Sequence, residues 1–290
     1  MKEKYKVAIL GSGNIGTDLL IKILRSNSLE CVAFVGRSYS SRGMLKAANL
    51  KIKTSDKSID YIVDHANEID LVFDATSAKY HKSHAPIFKK LGINCIDLTP
   101  AKIGPMCVPS VNSRECLNEV NINMVSCGGQ ASIPIATAFS KVHKNIEYVE
   151  VVSSIASKSA GPATRLNLDE YIKTTEMGVK HFSGAKKTKA ILILNPAEPS
   201  INMKTTILAK IDSPDIEAIT VEVAKLAKKV QTYVPGYKLV LGPLFENNRV
   251  VVMFEVKGVG DYLPEYAGNL DIINCAAIAM AEEYAKMSQK

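Results

Sequence analysis

One of the six cysteines stands between an apolar run and two glycines, and its surroundings favour covalent chemistry. Cys127 follows residues 122–125, which are typical of a strand, and precedes a helical stretch over residues 131–142. Near the start of a helix, backbone N–H groups and the helix dipole favour a thiolate over a thiol. Gly128 and Gly129 would let a substrate approach the backbone and would turn their N–H groups toward an oxyanion. The pattern predicts a catalytic nucleophile, and a small buried hydrophobic residue is the alternative.

A glycine-rich turn near the N-terminus predicts a second functional site. It connects an apolar run over residues 6–10, typical of a strand, to residues 17–26, whose apolar side chains have helical spacing. Glycines there permit a tight turn and close approach of a pyrophosphate, whose charge the helix N-terminus stabilises. We predict that the turn binds NAD; a domain of this fold that has lost its cofactor is the alternative. The turn residues are Gly11, Ser12, Gly13, Asn14, Ile15 and Gly16.

The end of the second predicted strand bears on the choice of cofactor. In NAD-binding domains an acidic residue about 20 residues past the glycines binds the ribose hydroxyl. Here residues 31–35 are followed by Gly36 and Arg37, with Arg42 shortly after, and no carboxylate is present. The arginines would suit a 2′-phosphate or would simply be solvated. NAD is the predicted cofactor, and NADP stays open.

Strands and helices alternate through the rest of the first half. Residues 69–73 and 93–98 read as strands around a helix over residues 81–91, which predicts a doubly wound parallel sheet. His81 and His84 fall just inside that helix, and we expect them at its surface. Ligands of such sheets bind at the carboxyl ends of the strands, so four residues are expected to line the cofactor cleft. They are Thr76, Ser77, Thr99 and Pro100.

The second half of the chain has a different pattern of residues. Long β-branched segments cluster there, which predicts a second, α+β domain with a mostly antiparallel sheet for catalysis and oligomerisation. We expect a dinucleotide-binding domain over residues 1–125, joined by the C-terminal helix over residues 270–290, and the second domain over residues 126–269. The fold class is therefore a Rossmann-type α/β domain followed by this α+β domain.

Composition excludes several functions. No apolar run reaches the ~18 residues of a membrane span, and the charged start runs directly into a strand, so neither a membrane segment nor a signal peptide is expected. The net charge of +7 comes from dispersed lysines, which argues against nucleic-acid binding and suits an anionic cofactor. The scattered cysteines predict no disulfide framework, no metal site and a reducing, cytoplasmic compartment.

Several blocks together resemble the acylating acetaldehyde dehydrogenases that receive their substrate from a 4-hydroxy-2-oxovalerate aldolase. The resemblance runs almost from end to end, and the CGGQA and SIASKSAGP blocks are the most specific. The matching blocks are residues 11–19, 97–105, 124–134, 154–162, 194–199 and 262–271.

The resemblance implies oxidation of acetaldehyde or another short aldehyde, with NAD and coenzyme A, through a thioester on Cys127. It also implies a homodimer core, an aldolase complex and a place in the catabolism of aromatic hydrocarbons. Further NAD contacts are implied for Ser159, Ala160, Gly161, Pro162, Ala163, Thr164, Arg165, Leu166, Asn167 and Asn269.

The chain departs from the family at a position whose side chain is implied to assist the active-site thiol. Thr205 stands where relatives often have an aspartate, which leaves the base unidentified. Two other functions stay open: a phosphorylating semialdehyde or acyl-phosphate reductase, which would pair the cysteine with a histidine, and a non-catalytic NAD-sensing protein on the same fold.

Overall fold

The chain forms two compact units in the computed structural model, which describes residues 3–161, 164–165 and 167–289. The first unit consists of two segments of the chain, one that ends at Met124 and one that begins at Asn274. The second unit extends from Val125 to Ile273. No helix within the described ranges has both the length and the apolar character needed to cross a membrane.

The first unit is built on a six-stranded sheet in the order β3-β2-β1-β4-β5-β6, with every pair parallel. This order is that of a Rossmann-type sheet and confirms the predicted fold. The central strands are apolar on both faces, as expected where helices cover both sides. The strands are β1 (Tyr5–Leu10), β2 (Leu29–Val35), β3 (Thr54–Ser55), β4 (Leu71–Asp74), β5 (Asn94–Asp97) and β6 (Asn121–Asn123).

The helices of the first unit begin where local sequence supplies a cap. Ser77 caps α4, because its side chain accepts the N–H of Tyr80, and Gly92 ends that helix in the left-handed region. Helices α2, α3 and α5 were not predicted, because at eight residues or fewer they show little of the helical periodicity. The helices are α1 (Asn14–Arg25), α2 (Arg42–Asn49), α3 (Ile59–Asp64), α4 (Ala78–Leu91) and α5 (Pro109–Cys116).

The second unit contains a mixed five-stranded sheet in the order β10-β11-β9-β7-β8. Only β7 and β8 pair in parallel, so the prediction of a mostly antiparallel sheet is confirmed. Its strands are β7 (Ile146–Ala156), β8 (Lys187–Asn195), β9 (Met203–Ile211), β10 (Tyr237–Glu246) and β11 (Arg249–Val256), and its helices are α6 (Cys127–Val142), α7 (Leu168–Ser183) and α8 (Ile216–Gln231).

The two faces of this sheet differ in burial. Alternate residues of β7 are buried, and the hydroxyl of Tyr237 on β10 donates to the Ala131 carbonyl of α6 at 3.0 Å, so helices cover one face. On the other face Ile191 and Ile193 of β8 remain 39% and 46% exposed. Exposed apolar residues that lie together on a surface mark a candidate interaction site.

The last helix, α9 (Gly268–Ser288), contributes its residues from Asn274 onward to the first unit. The Asn274 amide donates to the Asp18 carboxylate at 2.8 Å, and the Tyr284 hydroxyl donates to the carbonyls of Cys116 and Glu119. These bonds use polar groups that burial would otherwise leave unsatisfied.

Candidate active site

A strained turn places Cys127 at the first position of α6. Strand β6 ends at Asn123, earlier than predicted, because Val125 adopts a φ of +63° in the left-handed region. That conformation is unfavourable for a β-branched residue and persists only where the surroundings enforce it. Ser126 then returns to extended backbone and caps the helix, its Oγ accepting the Gly129 N–H at 2.9 Å.

The surroundings of Cys127 favour the neutral form of its thiol. The residue is partly exposed, whereas its neighbours from Gly128 to Phe139 are buried. Burial raises the pKa of Cys127 to about 11, although the Tyr171 hydroxyl and the N–H groups of Gly128 and Cys127 lower it. The N–H groups at the helix start lower the thiol pKa, as predicted, but desolvation outweighs them.

The two glycines serve internal packing rather than substrate approach alone. A Cβ on Gly128 would lie 2.2 Å from the Tyr171 hydroxyl oxygen, and one on Gly129 would lie 2.7 Å from Cγ1 of Val125. The Gly129 N–H already donates to Ser126. It is therefore not free to bind an oxyanion, which corrects that part of the prediction.

Tyr171 is the residue near the thiol that the sequence did not reveal. It lies on α7, and its hydroxyl oxygen is buried without a hydrogen bond of good geometry to another described residue. The same helix places Thr175 so that its hydroxyl donates to the Tyr171 carbonyl and lies 2.8 Å from Ser126 Oγ. The two glycines after Cys127 indicated a close approach, but not which side chain makes it.

Thr205, at the position of the expected aspartate, takes part in a different interaction. Its side chain is buried on β9, and its hydroxyl lies 2.9 Å from that of Ser153 on β7. The influences on the Cys127 pKa include no charged side chain of a described residue. Among the described residues, therefore, neither a carboxylate nor a histidine is one of the groups that act on the thiol.

The glycine-rich turn has the shape that a bound pyrophosphate requires. Gly11 has a φ of +123°, and a Cβ there would lie 2.5 Å from the Ala75 carbonyl oxygen. A Cβ on Gly16 would lie 1.9 Å from the Gly11 carbonyl oxygen, whereas at Gly13 no atom lies within 4 Å. The turn is closed on its inner side and open at Gly13, so it fits a dinucleotide.

An arginine stacks on a tyrosine at the end of β2. The guanidinium carbon of Arg37 lies 5.4 Å from the ring centroid of Tyr80, and its Nη1 donates to the Tyr80 hydroxyl at 3.2 Å. Within the described ranges Arg37 and Arg42 form no ion pair. From Arg37 to Ser55 the chain carries five cationic side chains and no carboxylate: Arg37, Arg42, Lys46, Lys51 and Lys53.

The two histidines expected at the surface are instead buried, so that expectation is wrong. His81 and His84 both bind Asp74 Oδ2 through Nδ1, at 2.9 and 2.8 Å, and His81 Nε2 lies 3.4 Å from Asp97 Oδ2. Asp74 and Asp97 end the buried strands β4 and β5 and require partners there. The sequence did contain a signal of this burial, because both histidines closely follow a strand that ends in an aspartate.

This buried network holds the turn before α4. Burial would raise the pKa of Asp74, but hydrogen bonds from His81, His84 and Thr76 lower it to about 2. Burial acts to lower the pKa of His81, yet Asp74 and Asp97 raise it overall, which favours the protonated ring. Thr76 donates its N–H and hydroxyl to Asp74. Thr76, next to the α4 cap Ser77, is therefore fixed at the carboxyl end of β4.

The cofactor residues predicted in the second unit have varied surroundings. The Ser159 hydroxyl donates to the Ala156 carbonyl at 2.8 Å, and Arg165 donates to the carbonyls of Ala160 and Ser157. Gly161 has open space around it, Thr164 is partly exposed, and Asn167 precedes α7. Pro162, Ala163 and Leu166 lie outside the described residues.

Asn269 is the predicted cofactor residue with the clearest capacity for a ligand. It is 1% exposed at the start of α9, and neither Oδ1 nor Nδ2 has a hydrogen-bond partner among the described residues. A buried amide without partners is costly, and a water or a ligand would satisfy it. By contrast, no group of three His, Cys, Asp or Glu side chains in the described part of the chain is placed to hold a metal ion.

Solved structures share this fold at low sequence identity. Aspartate semialdehyde dehydrogenase II from Vibrio cholerae matches with a TM-score of 0.62 at 14% identity, covering 97% of this chain and 98% of that one. Aspartate semialdehyde dehydrogenase from Candida albicans matches with a TM-score of 0.63 at 12% identity, covering 96% and 99%. These matches show the fold alone.

Two family models match consecutive parts of the chain. Residues 6–120 match the semialdehyde dehydrogenase NAD-binding domain, and residues 127–264 match the dimerisation domain of prokaryotic acetaldehyde dehydrogenase. The first of these matches agrees with the glycine-rich turn, and the second begins at Cys127.

Relatives match over nearly the whole chain. An acetaldehyde dehydrogenase from Spirochaeta aurantia is 63% identical, covering 98% of this chain and 96% of the relative. Proteins of the same name from Pectobacterium atrosepticum and Burkholderia pseudomallei are 57% and 50% identical, covering 97% and 96% of this chain and 96% and 94% of the relatives. These identities confirm the resemblance seen in the CGGQA and SIASKSAGP blocks, and the chain belongs to the acetaldehyde dehydrogenase family.

Proposed function

We propose that this protein is an acylating aldehyde dehydrogenase that converts acetaldehyde, or another short aldehyde, and coenzyme A to an acyl-coenzyme A. The observation that carries the proposal is Cys127, held at the first position of α6 by the left-handed Val125 and the cap Ser126. Relatives named acetaldehyde dehydrogenase over nearly the whole chain supply the reaction class.

The sulfur of Cys127 would carry the acyl group as a thioester and then release it. Its thiolate attacks the aldehyde carbon, and the carbonyl oxygen takes a proton to give a thiohemiacetal. Loss of the hydroxyl proton and of a hydride from that carbon leaves a thioester on Cys127. The thiolate of coenzyme A then attacks the thioester carbon, and the Cys127 thiolate leaves. NAD supplies the hydride acceptor when bound.

The first unit offers the residues that would hold the dinucleotide. The glycine turn from Gly11 to Gly16 fits the pyrophosphate, and the fixed Thr76 and Ser77 stand at the carboxyl end of β4. In the second unit the unpartnered amide of Asn269 would take a further contact. The segment from Ser159 to Asn167 stays a proposed contact because the family resemblance implies it.

The end of β2 supports the use of NADP beside NAD. Arg37, stacked on Tyr80, has no carboxylate partner among the described residues and stands at the position where NAD-binding domains commonly have an acidic residue. A guanidinium there would bind the 2′-phosphate of NADP and would not exclude NAD. Arg37 is therefore the residue that sets the preference between the two cofactors.

A second copy of the chain is the partner we propose for the open sheet face. Ile191 and Ile193 are exposed there, and residues 127–264 match a domain described by its role in dimerisation. Burial of apolar area would stabilise the dimer by roughly 25 cal/mol per Å². We also propose an aldolase partner and a role in the catabolism of aromatic hydrocarbons, both of which the family resemblance supports. The proposed location is the cytoplasm, because the six free cysteines suit a reducing compartment.

Initial rates with acetaldehyde would test the proposed reaction. We expect NADH formation, with acetyl-coenzyme A as product, when coenzyme A is the acceptor, and none from Cys127→Ala. Rates that depend on phosphate instead would identify a phosphorylating enzyme. If the protein binds the cofactor but shows no turnover with either acyl acceptor, it would be a non-catalytic NAD-sensing protein.

A further inference from the structure

The environment of Cys127 raises a question of how the enzyme obtains a thiolate. Burial raises its pKa to about 11, and Thr205, at the position of the expected aspartate, is paired with Ser153. The helix start contributes the N–H groups of Gly128 and Cys127, which lower the pKa less than burial raises it. The remaining contribution that lowers the pKa is a side-chain hydrogen bond, since no charged side chain of the described residues acts on this sulfur.

Tyr171 is the side chain in position to supply that hydrogen bond. Its hydroxyl packs against Gly128, so closely that an added Cβ would lie 2.2 Å from the oxygen. The oxygen is buried and has no well-aligned hydrogen bond to any described residue. A hydroxyl left unsatisfied in a protein interior costs free energy and calls for a functional or structural reason.

The neighbourhood of Tyr171 is arranged to hold the ring and leave its hydroxyl available. Thr175, one helical turn later on α7, donates to the Tyr171 carbonyl at 2.8 Å and lies 2.8 Å from Ser126, the cap of α6. Thr174, Thr175 and Gly178 of α7 are buried. Two helices rather than a flexible loop thus hold the hydroxyl beside Gly128, the residue that follows Cys127.

We propose that Tyr171 is a catalytic residue whose hydroxyl donates a hydrogen bond to the Cys127 thiolate and replaces the aspartate that this chain lacks. The proposal rests on the thioester chemistry assigned to Cys127 above. Hydrogen bonds to a charged partner are stronger than those between neutral groups, so the bond gains strength when the thiol ionises. The neutral thiol is only a weak acceptor, in agreement with the absence of a well-aligned hydrogen bond from this hydroxyl to any described residue.

The test compares Tyr171→Phe with the wild-type protein by the pH dependence of Cys127 alkylation with iodoacetamide. The five other cysteines are subtracted with Cys127→Ala. Since one pKa unit is a tenfold change in thiolate fraction, we expect Cys127 alkylation near neutral pH to slow by roughly ten- to a hundredfold, with the midpoint shifted upward. The aldehyde-dependent rate should fall with it, and a rise in pH should partly restore both.

Tyr237→Phe is the matched control. Its hydroxyl is also buried in the second unit and donates to α6 through the Ala131 carbonyl, but it is not among the groups that act on the thiol. We expect this variant to lose stability and to keep the wild-type alkylation profile. If Tyr171→Phe also keeps that profile, Tyr171 only fills space and the proposal is wrong. Alkylation needs no substrate, so this result is independent of the acyl acceptor.

Discussion

Gly128→Ala should disturb the thiol through Tyr171, and the structure gives the size of the effect. The new methyl group would lie 2.2 Å from the Tyr171 hydroxyl oxygen and 3.0 Å from its ring carbon Cζ. Tyr171 lies on α7 and its ring packs against α6, so the ring must shift to admit the methyl group. Overpacking of this kind costs roughly 1–3 kcal/mol. Replacing glycine in a helix recovers about 1 kcal/mol at most. Once that gain is subtracted, we expect a net loss of stability of roughly 0–2 kcal/mol.

The same displacement should move the hydroxyl away from the sulfur. Gly128→Ala is therefore expected to slow Cys127 alkylation in the same direction as Tyr171→Phe, while binding of NAD is retained. The control is Gly242→Ala on β10, where an added Cβ meets no atom within 4 Å. That variant should stay within about 0.5 kcal/mol of wild type and keep the wild-type thiol reactivity.

A double-mutant cycle separates the hydroxyl from the rest of the ring. In a Tyr171→Phe background the atom at 2.2 Å is gone and the ring carbon at 3.0 Å remains, so Gly128→Ala should cost less there. Stability from chemical unfolding and thiol reactivity from alkylation would both be measured for the four proteins. An equal cost of Gly128→Ala in both backgrounds would refute the contact on which this reasoning depends.

Three further predictions concern the first unit. Gly16→Val should lower stability as well as cofactor affinity, because its Cβ would lie 1.9 Å from the Gly11 carbonyl oxygen, whereas Gly13→Val should weaken only the cofactor, as measured by titration beside thermal unfolding. Arg37→Asp should weaken NADP far more than NAD, and equal losses would mean that the side chain is merely solvated. Because the folded-state pKa of His81 is raised, its contribution to stability is complete below about 6.5 and is lost as pH rises through the folded-state pKa. His81→Gln should flatten that part of the stability curve, and an unchanged slope would contradict the assignment.

The sequence predicted the architecture where local pattern and burial agree. The strand, glycine turn and helix around Gly11–Gly16 were predictable because each signal points to the same element. The mixed sheet of the second unit was predictable in type from its β-branched segments. Short elements such as β3 and α3 were missed, because two to six residues are too few for a period to appear.

The site was less predictable because its chemistry depends on contacts between distant segments. Cys127 and the glycines after it were identified from their spacing, but the hydroxyl that fills the space at Gly128 comes from Tyr171 on another helix. The net rise in the thiol pKa likewise depends on burial, which a local motif does not reveal. His81 was taken for a surface residue because its two aspartate partners end separate strands.

The central claim is that Cys127 carries the acyl group, and mass spectrometry of its proteolytic peptide tests it most directly. The enzyme would be mixed with acetaldehyde and NAD in the absence of coenzyme A, quenched in acid and digested. We predict the mass of one acetyl group on the peptide that contains Cys127, its disappearance on adding coenzyme A, and no adduct in Cys127→Ala. NADH formation with an unmodified Cys127, or an adduct that coenzyme A does not remove, would contradict it.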